Sequence, residues 1–488
     1  MGGAKAEVGR LGKSSLIYIV PSLLSQGLTF LLTPLYTRAL TPADYGIIGL
    51  TNTAWPLLST AMSLCLQSSI TRLHFDFDTQ EERNRLYSTI VIALAVFQGF
   101  VCLALHAVGA LGGLDGVFRS IGYEPYLKWS IIAAYFGAFP SVLVNIFQAS
   151  ERPKKLAAFN LWSLVVTITA MLTFVVILRQ GALGHVHAVA VYTGLNGTLA
   201  AFLVLRTTGI RFDRILFRAA ISFGLPLMPH LMANYVLNVG DRWVLERFVS
   251  RADLGVYALA YSFGSIMSVM AAALSMAFTP ALTRHLKSGD SAGTVPALGS
   301  YYFGALVTLG LGIAMLAPEL IRLVTPPAYH SAGALVPWVT LGLLWRGSQS
   351  VLSLGTYYSK RTRLIAPVTA VAAALNVGLN LLSIPRFGVQ AAAINTAIGY
   401  CCMTLLHGLV ARRVFPIRWE FRKGLTMLGC AVGVFLLSNF LPLKDPLGAF
   451  AAKALIAIGG SLLALLVSRI ATVRELIAIP QIILKRHP

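Results

Sequence analysis

The sequence predicts an all-α polytopic membrane protein: about 14 transmembrane helices, arranged as two parallel six-helix lobes followed by two C-terminal helices. Three observations predict this. Of 488 residues, 56% are hydrophobic and only 12% are charged, about half the ~25% charged residues of a soluble domain. The apolar residues fall into a long series of charge-free stretches. A weak internal repeat relates the first half of that series to the second. With a mean hydropathy of +0.73 the chain is too apolar for one soluble domain or for disorder. Its sparse basic residues do not form the clustered patch of a nucleic-acid module, so no nucleic-acid partner is expected.

A membrane helix needs roughly 20 predominantly apolar residues. Stretches without Asp, Glu, Lys or Arg cover 14–37, 45–71, 86–114, 129–150, 156–178, 180–205, 219–240, 254–283 and 291–318. They continue over 323–358 (interrupted by Arg346), 364–385, 387–411, 424–443 and 454–468. Helices are expected because unpaired backbone groups are too costly in hydrocarbon and barrel strands are short and alternating. Lys453 and Arg469 flank the short last stretch and are placed to snorkel. The first 13 residues carry Glu7 and three bases before a long apolar stretch, which reads as a retained helix and not as a cleaved leader. The expected divisions are a tail 1–13, an N-lobe 14–210, a C-lobe 211–411, two appended helices 412–470 and a tail 471–488. All five cysteines lie in or beside the stretches without metal-ligand spacing, so they read as free thiols and no metal or other cofactor is expected.

With the N-terminus inside and the loops alternating, 27 Lys/Arg fall on the inner side and 11 on the outer, Arg346 being the thirty-ninth. This asymmetry places both termini in the cytoplasm by the positive-inside rule. The 18 acidic residues divide 10 inside and 8 outside. Most of the net charge of +21 is therefore a topology signal and does not itself point to an anionic ligand.

The repeat rests on two matches. Ala43, Asp44, Gly46 and Leu50 recur as Ala252, Asp253, Gly255 and Leu259 at an offset of 209. Leu156 and Ala158 recur as Leu364 and Ala366 at an offset of 208. The offset takes in six helices, an even number, so both halves run the same way through the membrane, with a cavity expected between them.

Candidate site residues follow from polarity inside apolar stretches. Arg346 lies about 13 residues from one end of its stretch, so roughly 20 Å of helix separates it from water. An ionised side chain at that depth costs at least ~2.5–3.5 kcal/mol unless it faces a wet cavity or a partner. It reads as an anion site, with Gln349 beside it; a structural Arg bonded to backbone carbonyls is the rival reading. In the seventh stretch Pro226 and Pro229 remove two helix donors, and His230, Asn234 and Asn238 follow at every fourth residue. These predict a hinge and a polar, cavity-lining stripe; interhelical hydrogen bonding is the alternative. Pro21 and Pro34 with Gln26 between them give the first helix the same character. Arg38, Arg72 and Arg242 at helix ends are topology anchors or the mouths of a cationic pathway. Asn376/Asn380 and Asn145/Gln148 are helix-spaced pairs suited to sugar hydroxyls or to packing. Phosphate loops, HExxH and an acid–base carboxylate pair within the stretches are missing from the sequence, and the external connections are short. Both features disfavour an enzyme.

The segment Leu16–Pro21, then Pro34–Arg38, then Leu40–Gly46 resembles the opening of polysaccharide-biosynthesis membrane proteins, the Wzx-type flippases of the multidrug/oligosaccharidyl-lipid/polysaccharide (MOP) exporter superfamily. Gln148–Lys155, Gly240-Asp241-Arg242 and Asp253–Tyr257 are similar to that family as well. The resemblance implies a MATE-like fold in a bacterial inner membrane. It implies a transporter that flips undecaprenyl-pyrophosphate-linked oligosaccharide repeat units from the cytoplasmic to the periplasmic leaflet by alternating access. The product would be O-antigen, capsule or exopolysaccharide. A coupling ion (H⁺ or Na⁺), the bilayer, and polymerase and chain-length proteins of the pathway are the partners it implies. The alternatives are a multidrug/cation extruder of the same superfamily, disfavoured by acid-free stretches, and a polytopic glycan polymerase or ligase, which needs a long catalytic loop.

Overall fold

A computed structural model describes residues 32–289, 293–359, 361–440 and 445–472. Pro21 and Gln26 lie outside the described residues. The chain is helical almost throughout, and no strand occurs among the described residues. The helices are α1 (Thr33–Ala39), α2 (Pro42–Met62), α3 (Gln80–Ala110), α4 (Tyr123–Ala149), α5 (Pro153–Ile177), α6 (Gly181–Thr208), α7 (Arg214–Phe248), α8 (Arg251–Lys287), α9 (Thr294–Val324) and α10 (Val336–Leu352). The segment Ile365–Val414 follows, then α13 (Phe421–Ser438) and α14 (Pro446–Val467). Ile365–Val414 is 50 residues long, ~75 Å if straight at 1.5 Å per residue and more than twice a bilayer core. Gly388, with φ 56° and ψ −137°, breaks it into α11 (365–387) and α12 (389–414). A side chain disfavours that left-handed φ, and glycine adopts it freely. Among the described residues α2 to α14 follow the second to fourteenth predicted stretches, and α1 covers the end of the first.

Several helix starts satisfy orphan backbone donors with a side chain, which matters where loops leave the apolar zone. Thr41 and Asp44 form a capping box at α2, and Thr79 and Glu82 form one at α3. Asp213 caps α7 by accepting from the N–H of Ile215 at 2.8 Å. Large apolar side chains are left widely exposed on α3, α5, α11 and α13: Phe100 and Ile177 are both 72% exposed. On a soluble protein such surface is untenable; hydrocarbon solvates it.

The chain divides into two compact units with the boundary between Ala258 and Leu259. In the first, α6 packs on α4 and α5, and α2 packs on α4. The core joins Leu86, Ile90 and Leu94 of α3 to Val142 and Leu143 of α4 and to Ala200 and Val204 of α6. In the second unit α10 packs along the α11–α12 hairpin, and α9 packs on α13 and α14.

The repeated motif has a structural counterpart. Ser250 and Asp253 reproduce the capping box of Thr41 and Asp44: the hydroxyl of Ser250 donates to Asp253 at 2.7 Å, as that of Thr41 does to Asp44. The two helix starts meet at their glycines. A Cβ on Gly46 would lie 2.1 Å from the carbonyl oxygen of Arg251, and one on Gly255 would lie 1.8 Å from that of Pro42. Both contacts are related by the same offset of 209, so the approach of α2 to α8 is itself two-fold symmetric. Gly49 extends it, its missing Cβ facing Ala258. Only glycine permits backbones this close.

Candidate functional site

The first unit presents its polar side chains along α7. This helix runs continuously from Arg214 to Phe248 through Pro226 and Pro229, so the prolines remove donors without ending it. One turn before them, Gly224 lies against the reversal that ends α2. A Cβ there would fall 2.6 Å from the carbonyl oxygen of Leu64, and Leu64 and Cys65 both have positive φ. α7 is also tied to α2 higher up. The hydroxyl of Tyr235 donates to the carbonyl of Thr53 at 2.7 Å, and the indole N–H of Trp243 donates to the Thr53 hydroxyl at 3.0 Å.

Between these anchors stand His230, Asn234 and Asn238, all partly exposed. The side-chain amide of Asn238 donates to the carbonyl of Asn234 at 2.6 Å. The Nδ1 of His230 is buried without a hydrogen-bond partner among the described residues. Because α7 extends past its charge-free stretch, Arg242 continues the spacing as the fourth member. It is 8% exposed, and its guanidinium carbon lies 6.0 Å from the centre of the Tyr257 ring.

Arg242 belongs to a buried cluster at this end of α7 that the charge-free stretches did not anticipate. Asp241 is 2% exposed; it accepts from the hydroxyl of Tyr257 on α8 and, at 2.7 Å, from the backbone N–H of Arg242. Glu246, also buried, accepts from the backbone N–H of Ser120 in the α3–α4 connection. In the second unit Glu319 is buried inside α9, between Lys453 and Arg322. The expectation of acid-free spans therefore holds for the charge-free stretches but not for the helices, which run past them. A stretch that ends at the first charge leaves Asp241, Glu246 and Glu319 in loops. The signal that distinguishes them is a base three residues on in Glu319-x-x-Arg322 and an aromatic–acid pairing that needs α8 in place. Lys453 points to Glu319 instead of snorkelling.

The second unit carries Arg346 near the middle of α10. Its side chain is exposed, with the guanidinium carbon 5.8 Å from the centre of the Tyr400 ring on α12. Gln349 is partly exposed, and Ser350, one turn from Arg346, is exposed. Ser350 belongs to a hydroxyl network: it lies 2.9 Å from Ser275 of α8 and 3.1 Å from Tyr302 of α9, whose hydroxyl donates to the carbonyl of Gly347 at 2.8 Å. α10 thus presents a guanidinium, an amide and a hydroxyl array from neighbouring turns. A guanidinium can hold an anion through paired donors, and hydroxyls and amides suit sugar hydroxyls.

Other predicted residues are placed differently. Arg38 sits exposed in the last turn of α1, whose first turn carries Pro34. Arg72 is exposed and paired with Asp76 at 2.9 Å. Asn376 and Asn380 are fully buried and bonded within the hairpin. Asn145 donates to the carbonyl of Gln67 at 2.8 Å, a packing role. The cysteines are free, with Cys65 buried and the other four partly exposed. No group of three metal-ligating side chains occurs among the described residues.

Helices long and apolar enough to cross a membrane, with polar side chains set along α7 and α10, define a multi-pass membrane protein. Residues 11–286 match the family described as Polysaccharide biosynthesis protein, and the chain belongs to that family. Among curated relatives it is 24% identical over 282 residues to Lsg locus putative protein 1 of Haemophilus influenzae, covering 56% of this chain and 66% of that protein. It is 22% identical over 278 residues to the succinoglycan biosynthesis transport protein ExoT of Rhizobium meliloti, covering 52% and 50%. The chain spans just under two thirds of the first and half of the second. Its fold is similar to that of the lipid II flippase MurJ in an inward closed conformation, with TM-score 0.73 and 13% identity over 92% of this chain and 97% of that one. It is also similar to a multidrug resistance MATE family transporter of the MOP superfamily, with TM-score 0.61 and 14% identity over 82% and 97%. The fold is that of the MOP superfamily.

Proposed function

We propose that this protein flips lipid-linked oligosaccharide repeat units across a bacterial inner membrane, from the cytoplasmic to the periplasmic leaflet, for O-antigen, capsule or exopolysaccharide synthesis. The observation that carries the reading is membership of the polysaccharide biosynthesis family combined with the fold of a lipid II flippase. The carrier lipid is an undecaprenyl pyrophosphate, and both termini are cytoplasmic, as the distribution of Lys and Arg supports. The two lobes, 14–210 and 211–411, rock as bodies to give alternating access, with Pro226 and Pro229 softening α7 as a hinge. Arg346 holds the pyrophosphate or acidic sugars, and the stripe His230–Asn234–Asn238 with Gln349 contacts sugar hydroxyls. A proton or sodium ion couples transport, and the chain performs no bond-making chemistry.

The buried acids bear on the cation-extruder alternative, since such a transporter exchanges cations at intramembrane carboxylates. Each buried acid among the described residues is already engaged: Asp241 by Tyr257, Glu246 by Ser120, Glu319 by Lys453 and Arg322. None offers an open carboxylate to a cationic drug, which supports the flippase reading. Arg346→Ala is expected to cut surface glycan at least tenfold while membrane abundance stays at the wild-type level, loss of a charged hydrogen-bond partner for an anion being worth ~1.5–3 kcal/mol. Quantitative glycan staining at matched expression checks it; unchanged glycan rejects the role of Arg346. Deletion should leave lipid-linked repeat units on the cytoplasmic face, and normal periplasmic levels would reject the function.

A further inference from the structure

α9, α10, α13 and α14 enclose a crevice of about 900 Å³ inside the second unit, at the upper end of the range for small-molecule sites. Its walls are apolar: Leu311 and Met315 of α9, Leu344 of α10, Leu428 and Phe435 of α13. At its lip Trp338 and Leu436 are 42% and 53% exposed. One end differs. There Glu319, with 3% of its side chain exposed, receives Lys453 at 2.7 Å and Arg322 at 3.2 Å, and His330 lines the crevice beside them.

One carboxylate against two bases leaves this end formally positive. Lys453 is spent on Glu319 and largely enclosed, whereas 54% of the Arg322 side chain is exposed. A guanidinium bound through one nitrogen keeps further donors for an anion. A second, independent observation points to a ligand. Thr340 lines the crevice and is 2% exposed, yet its hydroxyl has no hydrogen-bond partner among the described residues. A buried hydroxyl left unpaired is costly, and an acceptor oxygen carried by a ligand would relieve it. The crevice thus calls for a molecule with an anionic head, an acceptor below it and long apolar chains.

We propose that the crevice binds an anionic phospholipid of the surrounding bilayer. Its phosphate sits at Arg322 and His330, an ester carbonyl accepts from Thr340, and the acyl chains lie along α9 and α13. The lipid fastens the α13–α14 pair to the rest of the unit and is separate from the transported substrate. The proposal is independent of the site assigned to Arg346.

Native mass spectrometry of the full chain tests it, with dioleoyl-phosphatidylglycerol, dioleoyl-phosphatidylcholine, inorganic phosphate and an isoprenyl phosphate as probes. One phosphatidylglycerol should be retained about fivefold more strongly than phosphatidylcholine, the preference that one well-placed base supplies. Arg322→Gln, at a largely exposed position, should reduce phosphatidylglycerol to the level of phosphatidylcholine. Ala431→Phe should fill the crevice and remove both. Equal retention of the two phospholipids, or an unaltered preference in Arg322→Gln, overturns the proposal. So does inorganic phosphate competing at equal concentration, which would leave the chains without a role. Preferential retention of the isoprenyl phosphate overturns it as well and assigns the crevice to the transported lipid.

Discussion

Asn234/Asn238 on α7 and Asn376/Asn380 on α11 have the same spacing and the same apolar surroundings in sequence, but the folded chain uses them differently. Asn376 and Asn380 are 1% and 0% exposed. Asn376 donates to the carbonyl of Asn395 at 2.9 Å, Asn380 donates to Asn376 at 3.1 Å, and Asn395 donates to Asn380 at 2.9 Å and to Ser383 at 2.8 Å. The loop of bonds closes because α12 folds back at Gly388 and delivers Asn395. On α7 the side chain of Asn234 meets no third amide among the described residues. Asn238 is bonded to the carbonyl one turn below, and the stripe stays partly open. A helix-spaced amide pair becomes structure when a neighbouring helix brings a third amide; without one, the side chain of Asn234 stays partly exposed.

Substitutions should act most strongly on the hairpin. Asn395→Leu strands the amide oxygen of Asn380 and leaves Asn376 facing only a displaced carbonyl, a loss of about 2–3 kcal/mol for buried polar groups left unpaired. The melting temperature in detergent should fall, and glycan export should fall only in proportion to membrane abundance. A stable variant with lost export would mean that the hairpin amides serve the substrate. The converse variant sharpens the contrast. Asn234→Ala combined with Asn238→Ala should change stability by less than about 1 kcal/mol, the typical worth of such bonds in membrane helices. Surface glycan should nevertheless drop several-fold at matched expression. If melting drops and export per molecule does not, α7 is built like the hairpin.

A smaller effect separates both regions from the loop between α2 and α3. His74 is buried there against Tyr87. Burial, with a contribution from Arg83, holds its pKa below the ordinary histidine value. The folded state therefore binds the proton less readily than the unfolded chain. Its stability contribution is complete above the unfolded pKa of ~6.5 and declines as pH falls through that value toward the folded pKa. Melting measured from pH 8 to pH 5 should show this decline, and His74→Gln should flatten it. The amides of Asn234, Asn238, Asn376 and Asn380 do not titrate and should contribute nothing to the slope.

Much of the architecture was legible in the residues. Among the described residues the charge-free stretches are helices because hydrocarbon permits no other open-ended solution to backbone hydrogen bonding. The match between residues 43–50 and 252–259 reflected a physical contact, since Gly46 and Gly255 are needed where α2 and α8 cross. Legibility stopped at the helix ends. A scan that closes a span at the first charge places Asp241, Glu246 and Glu319 in loops. Burying a carboxylate depends on partners 16, 126 or 134 residues away: Tyr257, Ser120 and Lys453.

Hydropathy along the chain suffices to make it a helical membrane protein and to set the centres of its helices, and the repeated motif is visible in the residues. Those properties depend on hydropathy and backbone chemistry, which are local. Which polar side chains are consumed in packing and which stay open depends on how the helices pack. Asn376 and Asn234 are chemically identical, and their roles diverge because one meets a returning helix and the other does not. The same reason separates Glu319, enclosed by two bases, from Arg346, which keeps an exposed side chain in the middle of α10.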